Sequence, residues 1–123
     1  MNYSIEPSTR DGKTFLVATL SGPATLEPIV QFLRELEARA REQPDLRVLI
    51  DESHLDLELI GFRGIRQIVE QWHKVSLQSV SLAVFAPGVM TFGLNRMFVL
   101  MARTENVEVF LARPDALSWL LAR

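Results

Sequence analysis

The sequence predicts an α/β fold, a mostly parallel five-stranded mixed sheet with helices packed on it. Two observations carry this prediction. Apolar or alternating segments of strand length are separated by longer segments in which apolar residues recur every three or four positions, the period of a helix. The resulting order, β-β-α-β-α-β-α-β-α, implies right-handed crossovers between parallel strands and one antiparallel hairpin at the start.

The first half of the chain contains the predicted hairpin, a helix and a strand. An alternating segment, the turn dipeptide "DG" and the β-branched run "TFLVATL" predict the hairpin. Apolar residues then recur at helical spacing from Leu26 to Ala40, with Thr25 as N-cap and Pro44 after the end. The apolar run "LRVLI" is a short strand that we expect to end at Asp51.

The second half alternates helices with strands. Apolar residues spaced from Phe62 to Trp72 predict a second helix. The run "VSLAVFA" has the length and composition of a strand covered on both faces. "MTFGLNRMFVLMAR" predicts a third helix and "VEVFLA" a fifth strand. "RPDALSWLLAR" predicts a last helix with Pro114 near its first turn.

Composition and charge fit one soluble domain that spans residues 1–123. Apolar residues make up 48% and charged residues 23%, which is ordinary for globular proteins. The 13 basic and 15 acidic residues form no basic stripe, which argues against nucleic-acid binding. There is no cysteine and no signal-peptide pattern, and no apolar stretch is long enough to cross a bilayer. We expect a cytoplasmic protein without stable membrane insertion.

Several of these segments together resemble the SpoIIAA-like group of small bacterial proteins, within the wider STAS and Sec14-like structural class. The matching segments are "VATLSGPAT", "LRVLIDESHLDLE", "LAVFAPGVMTFGLNRMFVLMA" and "VEVFLARPDALSWL". The resemblance implies a STAS-type fold over nearly the whole chain. In the anti-sigma-factor antagonists of this class, a serine or threonine at the start of the second helix accepts phosphate. The matching region, residues 55–66, contains neither, so we expect this chain to lack that switch.

The segment "DESHLDLE", residues 51–58, contains four carboxylates, a serine and a histidine. A hydrolytic triad would need the histidine to reach both partners, but Ser53 and His54 are neighbours that should point to opposite sides of an extended chain. A receiver-type magnesium site would need acidic residues after an earlier strand and a lysine after a later one, and both are missing. We therefore predict no catalytic residue, no metal and no cofactor.

The segment is instead predicted to be a solvated strand-to-helix loop with acidic residues in contact with water. In open α/β sheets, ligands tend to bind at this end of the strands, where helix N-termini point. Two arginines at the start of the second helix could meet an anion there. The candidate ligand loop consists of Glu52, His54, Asp56, Arg63 and Arg66.

The third predicted helix has apolar residues around most of its circumference, which is unusual for a helix with one face in water. The stripe expected to face the sheet consists of Met90, Leu94, Met97, Phe98 and Met101. The remaining apolar residues predict a partner surface, most simply that of a symmetric homodimer. The candidate partner surface consists of Phe92, Arg96, Val99 and Leu100.

Three functions remain open at this point. The first is a non-enzymatic regulatory or interaction module that binds a second copy or another protein. The second is a small carrier or sensor of an apolar, lipid-like molecule, which the Sec14-like side of the resemblance suggests. A chain this short has little room for a drug-sized cavity of roughly 300–1,000 Å³, and this weakens the carrier hypothesis. The third is an enzyme that uses the acidic segment, for which no nucleophile, base and orienting partner can be placed together.

Overall fold

The structure is a computed structural model that describes residues 1–123. Its five strands form one sheet in the spatial order β1-β2-β3-β4-β5, with β1 and β2 antiparallel and the other neighbours parallel. The predicted fold class and element order are confirmed. The elements are β1 (Asn2–Arg10), β2 (Lys13–Pro23), α1 (Leu26–Glu42), β3 (Arg47–Asp56), α2 (Gly61–Trp72), β4 (Ser81–Phe85), α3 (Val89–Ala102), β5 (Val107–Phe110) and α4 (Arg113–Leu121).

The hairpin of β1 and β2 turns at Asp11 and Gly12. Both residues have positive φ, 53° and 76°, as a two-residue type I′ turn requires. Aspartate tolerates this conformation better than most residues and glycine adopts it freely. The dipeptide "DG" therefore fixes the register in which Arg10 pairs with Lys13.

The crossover helices α1, α2 and α3 lie on one face of the sheet, and α4 lies on the other. Each crossover joins neighbouring strands in the same direction, and right-handed crossovers of this kind place their helices on a single face. Val48 and Ile50 of β3 face the larger core beneath these helices, while Leu49 between them faces α4. The larger core contains 26 buried residues and the smaller one 6, so the crossover face supplies most of the apolar burial.

Strand β3 continues to Asp56 instead of ending at Asp51. The longer β2 supplies the partner: Thr19 pairs with Asp51, and Ser21 pairs with His54. The advance of two residues from Thr19 to Ser21 on β2 is matched by an advance of three residues from Asp51 to His54 on β3. This is a β-bulge with one extra residue on β3. The prediction of a loop from residue 51 is wrong up to residue 56, because β2 provides backbone hydrogen-bonding groups beyond the predicted end of the strand.

Helix α3 is the least buried of the crossover helices. Only Thr91 and Ala102 are buried among its 14 residues. It contacts α2 on one side and covers β5, a four-residue edge strand, so no further helix covers its outer side. The predicted stripe is half-buried against the larger core except for Met90, which is exposed and does not face the sheet. Neither α3 nor any other helix combines the length and apolar character needed to cross a membrane.

Candidate functional site

Glu52 is the one charged side chain that the fold buries. It follows Ile50 by two positions on β3, and the alternation of a strand therefore turns it toward the larger core. Only 9% of the residue is exposed. The prediction that the acidic residues contact water is wrong for Glu52, because the strand continues through it.

Asn95 of α3 is the hydrogen-bond partner of Glu52. Its side-chain nitrogen Nδ2 donates to Glu52 Oε1 over 2.6 Å and to the backbone oxygen of Thr91 over 2.8 Å. These two bonds use both hydrogens of the amide and fix which side-chain atom is the nitrogen. The atoms left without a partner are Glu52 Oε2 and Asn95 Oδ1, and both are hydrogen-bond acceptors when the carboxyl is ionised.

Burial raises the pKa of the Glu52 carboxyl to about 7, from an ordinary value of 4.5. The hydrogen bond from Asn95 favours the ionised form and opposes this shift, whereas the negative charge of Asp51 adds to it. None of the salt bridges in the structure includes Glu52. The group therefore titrates near neutral pH without a positively charged partner.

A cavity of about 90 Å³ lies against Glu52 and Asn95, between the sheet and the crossover helices. Of its 16 lining residues, 14 are hydrophobic, so these two supply its only polar side chains. The aromatic rings of Phe32, Trp72 and Phe98 contribute to its wall. A mostly apolar chamber with a few convergent polar groups is the general character of small-molecule sites, although this one is smaller than most.

The neighbouring polar residues of β3 have local structural roles. Asp51 Oδ1 accepts hydrogen bonds from Ser53 N over 2.9 Å and from Ser53 Oγ over 2.6 Å, across the bulge. Asp56 Oδ1 accepts one from Glu58 N over 2.8 Å. His54 is exposed and forms no side-chain hydrogen bond. The hydroxyl of Ser53 is therefore directed to Asp51 and not to His54, so these residues do not form the triad considered above.

The arginines of the candidate ligand loop lie apart from its buried carboxylate. Arg63 and Arg66 are exposed in the first two turns of α2, and neither forms a salt bridge. The acidic residues of the preceding segment do not neutralise them. The predicted set thus divides into one core residue, Glu52, and four exposed residues that do not line the cavity beside it.

Large apolar side chains are exposed mainly at one edge of the molecule, where the parallel strands end. Six such residues are exposed, and five of them either lie in or beside the first turn of α2 or α3 or directly follow β5. These positions share the carboxyl edge of the sheet because crossover helices begin where their preceding strands end. We call them the carboxyl-edge patch: Leu59, Phe62, Val89, Met90 and Leu111.

The partner surface predicted on α3 is only partly exposed. Phe92 and Val99 are half-buried and pack against the larger core. Arg96 Nη1 lies 3.0 Å from Glu108 Oε1 on β5, and Leu100 is exposed in the last turn. Whether a partner binds there stays a prediction.

Comparison with solved structures identifies the architecture. The chain matches an uncharacterized protein of the DUF3478 family from Shewanella loihica, described as having a SpoIIAA-like fold, with a TM-score of 0.65 and 20% identity over 96% of this chain and 93% of that one. This chain has a SpoIIAA-like fold. No protein-family model matches it, and no curated protein is significantly similar in sequence.

Two further structures share the SpoIIAA-like fold of this chain. An anti-sigma factor antagonist from Mycobacterium paratuberculosis has a TM-score of 0.54 and 16% identity, covering 98% of this chain and 95% of that one. The anti-sigma factor antagonist SpoIIAA in its unphosphorylated form has a TM-score of 0.56 and 10% identity, covering 99% and 98%. At these identities the likeness establishes the fold alone.

Sequence reasoning missed the pairing of Glu52 with Asn95, although each residue carries a signal. The alternation of Val48 and Ile50 toward the core, continued by two positions, reaches Glu52. Asn95 is the one side-chain amide in a mostly apolar third helix, whose other polar side chains are Thr91 and Arg96. A polar group inside an apolar segment requires a partner when it is buried. The sequence does not reveal that these two groups meet, since they are 43 positions apart.

Proposed function

We propose that this protein is a non-enzymatic regulatory module that binds a partner protein at the carboxyl edge of its sheet. The observation that carries the proposal is the carboxyl-edge patch, which contains five of the six large exposed apolar side chains. Covering such residues removes apolar surface from water, the main favourable term in most protein association. Exposed apolar groups gathered on one side of a small domain are typical of an interaction surface.

Two charged residues beside the patch suggest the chemistry of the partner. Arg63 and Arg66 form no salt bridge and lie close in sequence to the exposed Leu59 and Phe62. An unpaired guanidinium group favours a carboxylate across an interface, in a planar two-bond geometry. The partner that fits is therefore a protein surface or segment with both apolar and acidic side chains.

The structural likenesses support the class of function. Two of the matched structures are anti-sigma factor antagonists. Their name indicates that they act on another protein. We extend to this chain the general role of a regulatory, protein-binding module in the cytoplasm. The phosphorylation switch is not extended, because the start of α2 offers Leu59, Gly61 and Phe62 where a serine or threonine would be needed.

The other functions have less support. The apolar cavity beside Glu52, of about 90 Å³, is too small for a lipid-like cargo, since pockets for drug-sized ligands run to roughly 300–1,000 Å³. Two clefts of about 380 and 370 Å³ are large enough, but most of their lining residues are polar. An enzyme based on the acidic segment lacks a nucleophile and base in contact, because Ser53 Oγ donates to Asp51. A second copy of this chain is an alternative occupant of the patch, and oligomeric state distinguishes it from a different protein.

Site-specific photo-crosslinking in the producing cell tests the proposal. A photoreactive amino acid would replace Phe62 or Val89 in the patch, and Leu100 in a matched control. Leu100 is also apolar and exposed, but it lies at the far end of α3. We expect a discrete crosslinked protein from positions 62 and 89 and not from position 100. A product of twice the chain mass would identify self-association, which sedimentation velocity of the purified protein would then confirm.

The identified partner would then be measured against purified variants. We expect Phe62→Glu to weaken its binding at least about tenfold, because a buried aromatic anchor is replaced by a charge. Leu100→Glu should change the affinity by less than about twofold, as expected outside an interface. Crosslinks from position 100 alone would favour the surface predicted on α3, and no discrete crosslink from positions 62 and 89 would contradict the proposal.

A further inference from the structure

The cavity beside Glu52 has the chemistry of a binding site that the interaction surface does not explain. Glu52 is nine-tenths buried, lines the cavity and has one carboxyl oxygen, Oε2, that accepts no hydrogen bond within the protein. Buried polar atoms are nearly always hydrogen-bonded in native proteins. No fully buried side-chain oxygen or nitrogen lacks a partner in this structure, so Glu52 Oε2 keeps some accessible surface. Because Glu52 lines the cavity, a molecule bound there can donate a hydrogen bond to this oxygen.

The free polar atoms of the site define what that ligand must offer. Both hydrogens of Asn95 Nδ2 are already used, toward Glu52 Oε1 and the backbone oxygen of Thr91. The remaining side-chain atoms, Glu52 Oε2 and Asn95 Oδ1, can only accept while the carboxyl is ionised. A ligand must therefore donate hydrogen bonds at one end and be apolar over the rest, because the other 14 lining residues are hydrophobic.

The charge of the site specifies the donor further. No cationic side chain lines the cavity, and Arg113, which forms a salt bridge with the neighbouring Asp51, begins α4 on the opposite face of the sheet. A buried carboxylate without a counter-charge is costly, and a cation placed against it relieves that cost. An ammonium group supplies both the positive charge and up to three hydrogen-bond donors.

The volume limits the size of the ligand. An apolar cavity of about 150 Å³ binds benzene, and the cavity here measures about 90 Å³. By that scale it holds about four non-hydrogen atoms, as in a three-carbon amine. We propose that this cavity is a binding site for a short aliphatic amine, whose ammonium group donates to Glu52 Oε2 and whose alkyl chain contacts the apolar wall.

Access to the cavity is easiest beneath α3. This helix carries Asn95 and Phe98 on the cavity wall, and only two of its 14 residues are buried. Local opening requires the least free energy where few apolar contacts must be broken. The cavity is already partly open to the surface, so a small amine enters it beside α3 without unfolding of the domain.

Titration with n-propylamine, followed by the two tryptophan indole N–H signals in NMR spectra, tests the proposal. Trp72 lines the cavity, whereas Trp119 lies on the opposite face beside Phe110 and serves as an internal control. The titration is done at about pH 8.5 and constant ionic strength, so that most of Glu52 is ionised. We expect a saturable shift of the Trp72 signal alone. Three further compounds test the separate requirements of the site. n-Propanol tests whether the ligand must be charged, and tetramethylammonium tests whether it must carry N–H donors. n-Hexylamine tests the size limit.

Three variants distinguish the contribution of the Glu52 carboxylate to binding from the contribution of the cavity volume. Glu52→Gln keeps an acceptor for Asn95 but removes the charge, and we expect n-propylamine to bind at least about tenfold more weakly. Val107→Leu keeps the charge but fills part of the cavity, and should abolish saturation. Asp51→Asn, a matched change on the opposite face, should leave the affinity within about twofold. Equal binding by Glu52→Gln and the wild type, equal binding of n-propanol and n-propylamine, or no saturation in the folded wild type would each overturn the proposal.

Discussion

Asp51 and Glu52 are neighbouring carboxylates with opposite surroundings. Strand alternation directs Asp51 toward α4, where Arg113 Nη1 lies 3.0 Å from its Oδ2 and Ser53 donates two hydrogen bonds to its Oδ1. Glu52 points into the larger core, where it receives one hydrogen bond from Asn95 and has no cationic partner. Residue type is nearly the same, so the difference in environment comes from the face of the strand on which each residue lies.

This difference predicts opposite contributions to stability. A partly buried carboxylate that accepts several hydrogen bonds and contacts a guanidinium group stabilises the folded state. A buried carboxylate without a counter-charge is stabilising only while it is protonated, because ionisation then requires desolvation of a charge. Natural proteins retain such groups mainly at functional sites, which is why the cavity beside Glu52, and not the Asp51 cluster, is the more informative of the two regions.

The largest expected effect concerns the pH dependence of stability, which Glu52→Gln isolates. The pKa of Glu52 is about 7 in the folded protein against an ordinary 4.5, so the folded state binds more protons between these values. The stability contribution of Glu52 is therefore fully present below about pH 4.5, and about 3 kcal/mol of it is lost as the pH rises through 7. Relative to the wild type, Glu52→Gln should gain about this amount between pH 4 and pH 8, measured by urea denaturation.

The control for this effect is Asp51→Asn, which changes the adjacent carboxyl on the other face of β3. It should retain most of the decrease in stability between about pH 4.5 and 7 that Glu52 causes in the wild type, because burial, and not the charge of Asp51, is the main cause of the raised pKa of Glu52. Parallel stability curves for the wild type and Glu52→Gln over this range would show that Glu52 does not carry the effect.

Asp51→Ala should be destabilising and is the next largest change. It removes both hydrogen bonds across the bulge and leaves Arg113 without its carboxylate. Hydrogen bonds to charged groups contribute about 1.5–3 kcal/mol each when buried, and partial exposure reduces this, so we expect a loss of about 2 kcal/mol in the free energy of unfolding. Asp56→Ala is the matched control, because Asp56 is exposed and accepts one local hydrogen bond. A loss no larger than that of the control would refute the structural role of Asp51.

Asn95→Ala should shift the titration of Glu52 further. The hydrogen bond from Asn95 is the one influence that lowers the pKa of this carboxyl, so its removal should raise the pKa above 7. At about pH 8 the variant should also lose about 1–2 kcal/mol of stability, since an ionised group loses its only hydrogen bond. Carbon-detected NMR titration of the Glu52 carboxyl measures the pKa directly. Gln67→Ala, which removes an exposed amide from α2, should leave it unchanged.

Most of the fold could be predicted because its signals are local. Helical spacing, the turn dipeptide "DG" and the apolar runs each act within a few residues. The extension of β3 to Asp56 could not be predicted in this way, because it depends on how far β2 continues after residue 20. The exposure of Met90 has a similar cause. Met90 is exposed because α3 covers a short edge strand and has a neighbouring helix on one side only.

The candidate site was predictable only in part, for the same physical reason. The alternation that buries Glu52 is a local signal that extends through Val48 and Ile50. Its contact with Asn95 joins β3 to α3 and requires the packing of both elements on one face. The cavity depends on even more distant groups, since strands β2 to β5 and all three crossover helices line it. Volume left between packed elements has no signature in any one segment.

The smallest expected effect tests how much of the Asp51 cluster depends on a side-chain hydroxyl. Ser53→Ala removes the 2.6 Å bond from Ser53 Oγ but keeps the backbone bond from Ser53 N to the same oxygen of Asp51. Ser53 is exposed, so water can replace the lost donor, and we expect a loss of about 0.5 kcal/mol by urea denaturation. Ser53→Pro is the contrasting change, because it also removes the backbone donor and should cost at least about 2 kcal/mol more. If both substitutions had equal effects, the bulge would not depend on the backbone bond to Asp51, and the contrast between Asp51 and Glu52 would lose its local explanation.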